Sequence, residues 1–121
     1  MVILTFLLYT FLKPSLPKVT EEEVSSITFS RMEGEVDTTS NLSIKEFLQY
    51  YNEINHLVEN TEGEGSTPSA QIKINLKSGK TISIGNSGKD FEINLEVNIG
   101  DVKQYWGKQA NIRNLLYYGT Y

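Results

Sequence analysis

The chain has 121 residues, 39% of them hydrophobic and 21% charged, with a net charge of −4, which gives room for one domain around one core. That balance excludes a disordered chain, and the negative charge with only two arginines, Arg31 and Arg113, argues against nucleic acid, which is bound by neutralising phosphates. There is no cysteine, so a disulfide framework, a thiolate metal site and a cysteine nucleophile are excluded.

The chain opens on MVILTFLLYTFL, an almost wholly apolar run that Lys13 and Pro14 stop. As a helix these residues would rise about 18 Å, short of a hydrocarbon core of about 30 Å. The run matches the apolar centre of a signal peptide, although no basic residue precedes it and no small-x-small cleavage site follows. The expectation is a signal or membrane-anchor remnant over residues 1–12 and a linker over 13–22, built from KPSLPKVTEEE. A single α+β domain is then expected over 23–121. The competing reading makes the apolar run the first element of the core.

VSSITFSRME alternates, with Ile27, Phe29 and Arg31 on one face, and predicts a first strand; GEVDTTSN then supplies turn residues. Ser43-Ile44-Lys45-Glu46 reads as a capping box. After it Ile44, Phe47, Leu48, Tyr51, Ile54 and Val58 share one arc at helical spacing, while Lys45, Gln49, Asn52, Glu53 and His56 fill the other. One long amphipathic helix over 43–59 is expected. NTEGEGSTPSA follows as a surface loop; it lacks the Gly-Lys-Ser/Thr ending of a phosphate loop, and Glu62 and Glu64 would repel phosphate.

QIKINLKSGKTISIG reads as a hairpin. A two-residue loop would put Ile82 on the wrong face. A three-residue loop with Gly79 left-handed pairs Ile74 with Ile82 and Ile72 with Ile84. After the turn GNSGKD, FEINLEVNI alternates with Phe91, Ile93, Leu95, Val97 and Ile99 inward and Glu92, Asn94, Glu96 and Asn98 outward, as in an antiparallel sheet with one wet face. DVKQYW predicts a short edge strand. A closing helix follows, with Asn111 as N-cap, Ile112, Leu115 and Leu116 as its apolar stripe and Gly119 as C-cap.

Few residues carry chemistry. His56, the only histidine, sits on the polar arc of the expected helix, and a nucleophile or zinc site built on it would rest on one solvated ring. Glu92 and Glu96 stand four residues apart on one strand, about 13 Å, too wide for a glycosidase pair. Asp37 with Thr38, Thr39 and Ser40 lacks the rhythm of a calcium loop. The most distinctive segment holds Tyr105, the only Trp (Trp106), Lys108 and Gln109, which are the candidate binding residues. Trp and Tyr combine a large apolar surface with a polar handle, as binding surfaces use them. The competing reading, which the sequence favours, has the Trp plug the open end of the sheet, with Gly107 permitting a sharp turn into the helix.

The apolar start, a strand, a helix, a polar loop with Ser66-Thr67-Pro68, IKINLKSGKTISI and the late YWGKQANIRNLLYYG together resemble a family of uncharacterised extracytoplasmic domains. These occur in secreted and membrane-anchored proteins of Gram-positive, Bacillus-like bacteria. The resemblance covers Glu23 to Tyr121 and implies an extracytoplasmic location; the family has no assigned activity, so it assigns no functional residue here. The expected fold is α+β: an antiparallel sheet of four or five strands, one long amphipathic helix packed on one face, and a short C-terminal helix, an order similar to cystatin-like sheets. The expected function is a non-enzymatic extracytoplasmic interaction domain with no cofactor and no metal. Its partner would be a protein or a cell-envelope ligand, not nucleic acid, with membrane contact through the N-terminal segment. The alternative is a small acidic cytosolic inhibitor or immunity-type protein covering a basic partner surface.

Overall fold

A computed structural model describes residues 15–31, 34–37, 43–60, 70–86, 95–100 and 103–118. The apolar run 1–12, residues 61–69 of the expected loop, Phe91–Asn94 of the expected strand (with Glu92), Thr38–Ser40 of the expected turn, and Gly119 and Tyr121 lie outside them. The architecture is α+β, an antiparallel sheet with two helices.

The strands are β1 (Val24–Arg31), β2 (Gly34–Asp37), β3 (Asn55–Glu59), β4 (Ala70–Leu76), β5 (Thr81–Asn86), β6 (Leu95–Ile99) and β7 (Lys103–Lys108); the helices are α1 (Ile44–Asn52) and α2 (Ala110–Tyr118). The sheet has seven strands in the order β2-β1-β4-β5-β6-β7-β3, not four or five. GEVD, expected as a turn, is the strand β2, pairing Phe29 with Val36 and Ser30 with Glu35.

The register follows the apolar pattern. Ile72 stands opposite Ile84 and Ile74 opposite Ile82, with Gly79 at φ 93° closing the three-residue loop, as its sequence dictates. Leu76 N–H donates to Lys80 O and Gly79 N–H to Leu76 O, both at 2.9 Å. On the inner face the paired rows run Tyr105–Val97–Ile84–Ile72–Phe29 and Ile99–Ile82–Ile74–Ile27. Against them pack Phe47, Leu48 and Tyr51 of α1 and Ile112, Leu115 and Leu116 of α2, all buried.

The long helix is overturned. Ser43 caps α1 by accepting from Glu46 N–H, but the helix stops at Asn52, where the Glu53 and Ile54 N–H groups turn back onto Tyr50 and Tyr51 carbonyls. Ile54 still reaches the core, which is why the apolar spacing ran on; Val58, 59% exposed, does not. Asn55, His56 and Val58 are weak helix formers, and pairing with β7 decides their conformation instead. His56 takes φ 53° at a register shift between Asn55 and Val58, a bulge on an outer strand. β3 lies outside β7, so the expected edge strand DVKQYW is an interior one.

Residues 15–20, assigned above to a linker, sit on the fold. Val19 is buried, Leu16 packs against the core, and Tyr51 Oη donates to Pro17 O at 2.8 Å. A single turn, Glu21–Glu23, capped by Thr20 and Glu23, then feeds β1.

Candidate binding face around Trp106

Along β7 the side chains alternate between the two faces of the sheet. Tyr105 stands opposite the buried Val97 and is itself 6% exposed, so it belongs to the core and not to a binding surface. Gly107 shares that inner face. A Cβ placed on it would lie 2.7 Å from Ile54 Cγ2 and 3.1 Å from Leu57 Cδ2, so glycine is needed for close approach rather than for a sharp turn. Gln104, Trp106 and Lys108 occupy the outer face. Gln109 leaves the strand and caps α2: its Oε1 accepts from Ile112 N–H at 2.8 Å, the task expected of Asn111. Asn111 instead accepts from Gln109 Nε2 at 3.3 Å. Of the four candidate residues, the fold brings Trp106 and Lys108 to one surface and gives Tyr105 and Gln109 structural tasks.

Trp106 is half-buried. Its neighbours across the ladders are Val58 of β3 and Glu96 of β6. One step along, Gln104 faces Asn98, and the row continues through Ser83, Lys73 and Thr28, all half-buried. This outer face carries amides and hydroxyls together with Lys73, Glu96 and Lys108, with Trp106 near one edge.

A hydrogen-bonded chain runs from Asn60, just after β3, to β7 and β6. Asn60 Nδ2 donates to Gln104 Oε1 at 2.8 Å, Gln104 Nε2 donates to Glu96 Oε1, and Asn60 N–H donates to Gln104 O at 2.9 Å. Glu96 is 5% exposed although it stands on the face expected to be wet. A carboxylate out of water requires hydrogen-bond partners, and Gln104 supplies one. Neither Gln104 nor Asn60 belongs to a sequence motif; the alternation of β7 carries a signal for Gln104, whereas Asn60 gains meaning only once β3 is known to be a strand.

His56 is exposed on β3. Among the described residues no three His, Asp or Glu side chains converge as metal ligands. A depression in the turn before β1 is bordered, among the described residues, by Thr20, Glu21 and Glu22. Among the described residues no helix is long and apolar enough to cross a membrane.

Comparison of the chain with protein families, with curated proteins and with solved structures finds no match in any of the three.

Proposed function

We propose that this chain is a non-enzymatic, extracytoplasmic interaction domain, tethered by or exported through its apolar N-terminal segment, and that it binds through the outer sheet face that carries Trp106 and Lys108. The observation that carries the binding half is the half-buried Trp106: β7 sends Tyr105 into the core and leaves the only Trp of the chain on the outer, largely polar sheet face. Large amphipathic side chains in such a setting are the usual anchors of recognition. The location is supported by MVILTFLLYTFL and by the resemblance of Glu23 to Tyr121 to extracytoplasmic domains. Fractionating cells that produce the full-length chain tests it: the protein is expected with the membrane or outside the cell, and recovery in the cytosol alone overturns the reading.

A second reading, the acidic inhibitor or immunity-type protein, is favoured by one observation. Leu16 and Val19 seat on the core, so the N-terminal part of the chain is engaged with the domain from residue 16 onward. In that reading the apolar run is a core element.

A further inference from the structure

We propose that the Lys18–Val19 peptide bond is a release site, at which a lysine-directed endopeptidase frees the domain from the apolar segment, and that docking of residues 16–19 on the fold gates the cut; the release rests on the reading of residues 1–12 as an anchor. Ahead of β1 the chain is extended: residues 15–20 belong to no helix or strand, and Ser15, Pro17, Lys18 and Thr20 are exposed. Endopeptidases take their substrates as extended chain, through backbone groups that a helix or an interior strand keeps occupied. Lys18 supplies the cation that a lysine-directed enzyme reads. Lys13 is followed by Pro14, whose missing N–H and ring disable that bond for the same enzymes. Lys45 lies in α1 and Lys73 in β4, and neither can enter a protease cleft without unfolding its element.

Both flanks of the bond are held. Pro17 O accepts from Tyr51 Oη at 2.8 Å, Val19 is 6% exposed, and Leu16 packs against the core. The cleft of an endopeptidase grips residues on either side of the bond, so the segment must lift before it is cut. One hydrogen bond and two apolar side chains oppose that step, and the backbone freedom that the extended segment regains favours it. Lifting is therefore a local opening that leaves the sheet intact. Hydrolysis adds water across the amide: its oxygen goes to the Lys18 carbonyl carbon, giving a carboxylate, and its two protons go to the Val19 nitrogen, giving an ammonium. The upstream piece then keeps Leu16 and Pro17 without a covalent link, while Val19 and the whole sheet stay with the domain.

The full chain, folded in detergent micelles, is treated with trypsin as the probe, and the products are weighed by mass spectrometry. A cut after Lys18 is expected before any at Lys45 or Lys73, leaving a folded product that begins at Val19. Where lifting is fast compared with cutting, the rate follows the opened fraction. Tyr51→Phe, which removes the tie to Pro17, is expected to speed the Lys18 cut about fivefold and to leave Lys73 uncut. A first cut at Lys45 or Lys73, or a Lys18 rate that Tyr51→Phe does not move, overturns the gated site. In cells that produce the full chain, a domain beginning at Val19 is expected outside the membrane fraction, whereas Lys18→Gln stays within it. Equal release of Lys18→Gln and the parent overturns the release, as do two trypsin pieces that remain together after the cut. A membrane-bound chain that trypsin does not cut at Lys18 leaves the anchor standing and removes the site. A chain recovered only in the cytosol, yet cut at Lys18, removes the anchor and the release with it.

Discussion

The phenol of Tyr51 is 1% exposed and donates to the Pro17 carbonyl, 34 residues away in sequence, at 2.8 Å. Burial disfavours the phenolate, so its pKa lies above the usual 10.0. Above about pH 10 the unfolded chain releases this proton while the folded one retains it, so the unfolded state binds fewer protons and stability falls as pH rises. Below that pH the contribution is fully present. Tyr51→Phe removes both the hydrogen bond and the titration. The variant is expected to be about 1 kcal/mol less stable at neutral pH, with the gap to the parent narrowing in urea melts from about pH 10 upward. A gap that stays constant to pH 11 would show that Tyr51 ionises as freely in the fold as out of it. The same scale separates two neighbours that the sequence presents as one aromatic pair: Tyr105 and Trp106 differ in fate because adjacent residues on a strand face opposite ways.

Between elements, the seam of β7 and β3 turns on Gly107. The Ile54 Cγ2 methyl sits close to its own main chain and cannot swing aside, so an added Cβ at 2.7 Å must displace the backbone on one side. Gly107→Ala is expected to cost about 1–3 kcal/mol. Ile54→Leu, which removes the β-branch at similar volume, should recover part of that loss; a double-mutant cycle with no coupling energy would place the strain elsewhere. This seam also shows what sequence makes legible. The β4–β5 register could be read because any slip carries Ile82 and Ile84 to the wrong face. The capped start of α1 and the stripe of α2 were equally local. β3 was not legible: Ile54 continues the spacing of Phe47 and Tyr51 in either conformation, and the pairing that makes 55–59 a strand comes from residues more than 40 positions on. β2 hid in a segment rich in turn formers. For the candidate face, Gln104 and Trp106 could be assigned to one side by alternation, but the side was fixed only by Leu95 opposite Gly107 and Val97 opposite Tyr105. Glu96 defied its pattern: it is 5% exposed on a face expected to be wet, beside the buried Gly85 and with Gln104 donating to its carboxylate.

For the whole molecule, the decisive feature is how the chain enters the fold. α1 joins β2 at one edge of the sheet to β3 at the other, and Tyr51 near its end ties down Pro17, so residues 16–19 lie against the element that links the two edges. The tethered-domain and inhibitor readings then make different demands. A tether requires that everything before the docked segment be dispensable for folding; a core element requires the reverse. Removing residues 1–14 is expected to leave the melting temperature within about 2 °C of the parent, a stability change below about 0.5 kcal/mol. Removing residues 1–20 strips Val19 from the core and the Pro17 acceptor from Tyr51. Burial of one such side chain is worth about 1.5–3 kcal/mol and the hydrogen bond about 1 kcal/mol. A loss of about 3 kcal/mol lowers the melting temperature of a domain this size by more than about 10 °C. The pair of truncations therefore brackets the boundary. If the shorter deletion alone unfolds the domain, the apolar run is part of the core, the tether falls, and the acidic inhibitor becomes the reading to pursue. If only the longer one does, the domain begins at the residues that Tyr51 and the core hold, and the apolar run is free to serve as an anchor.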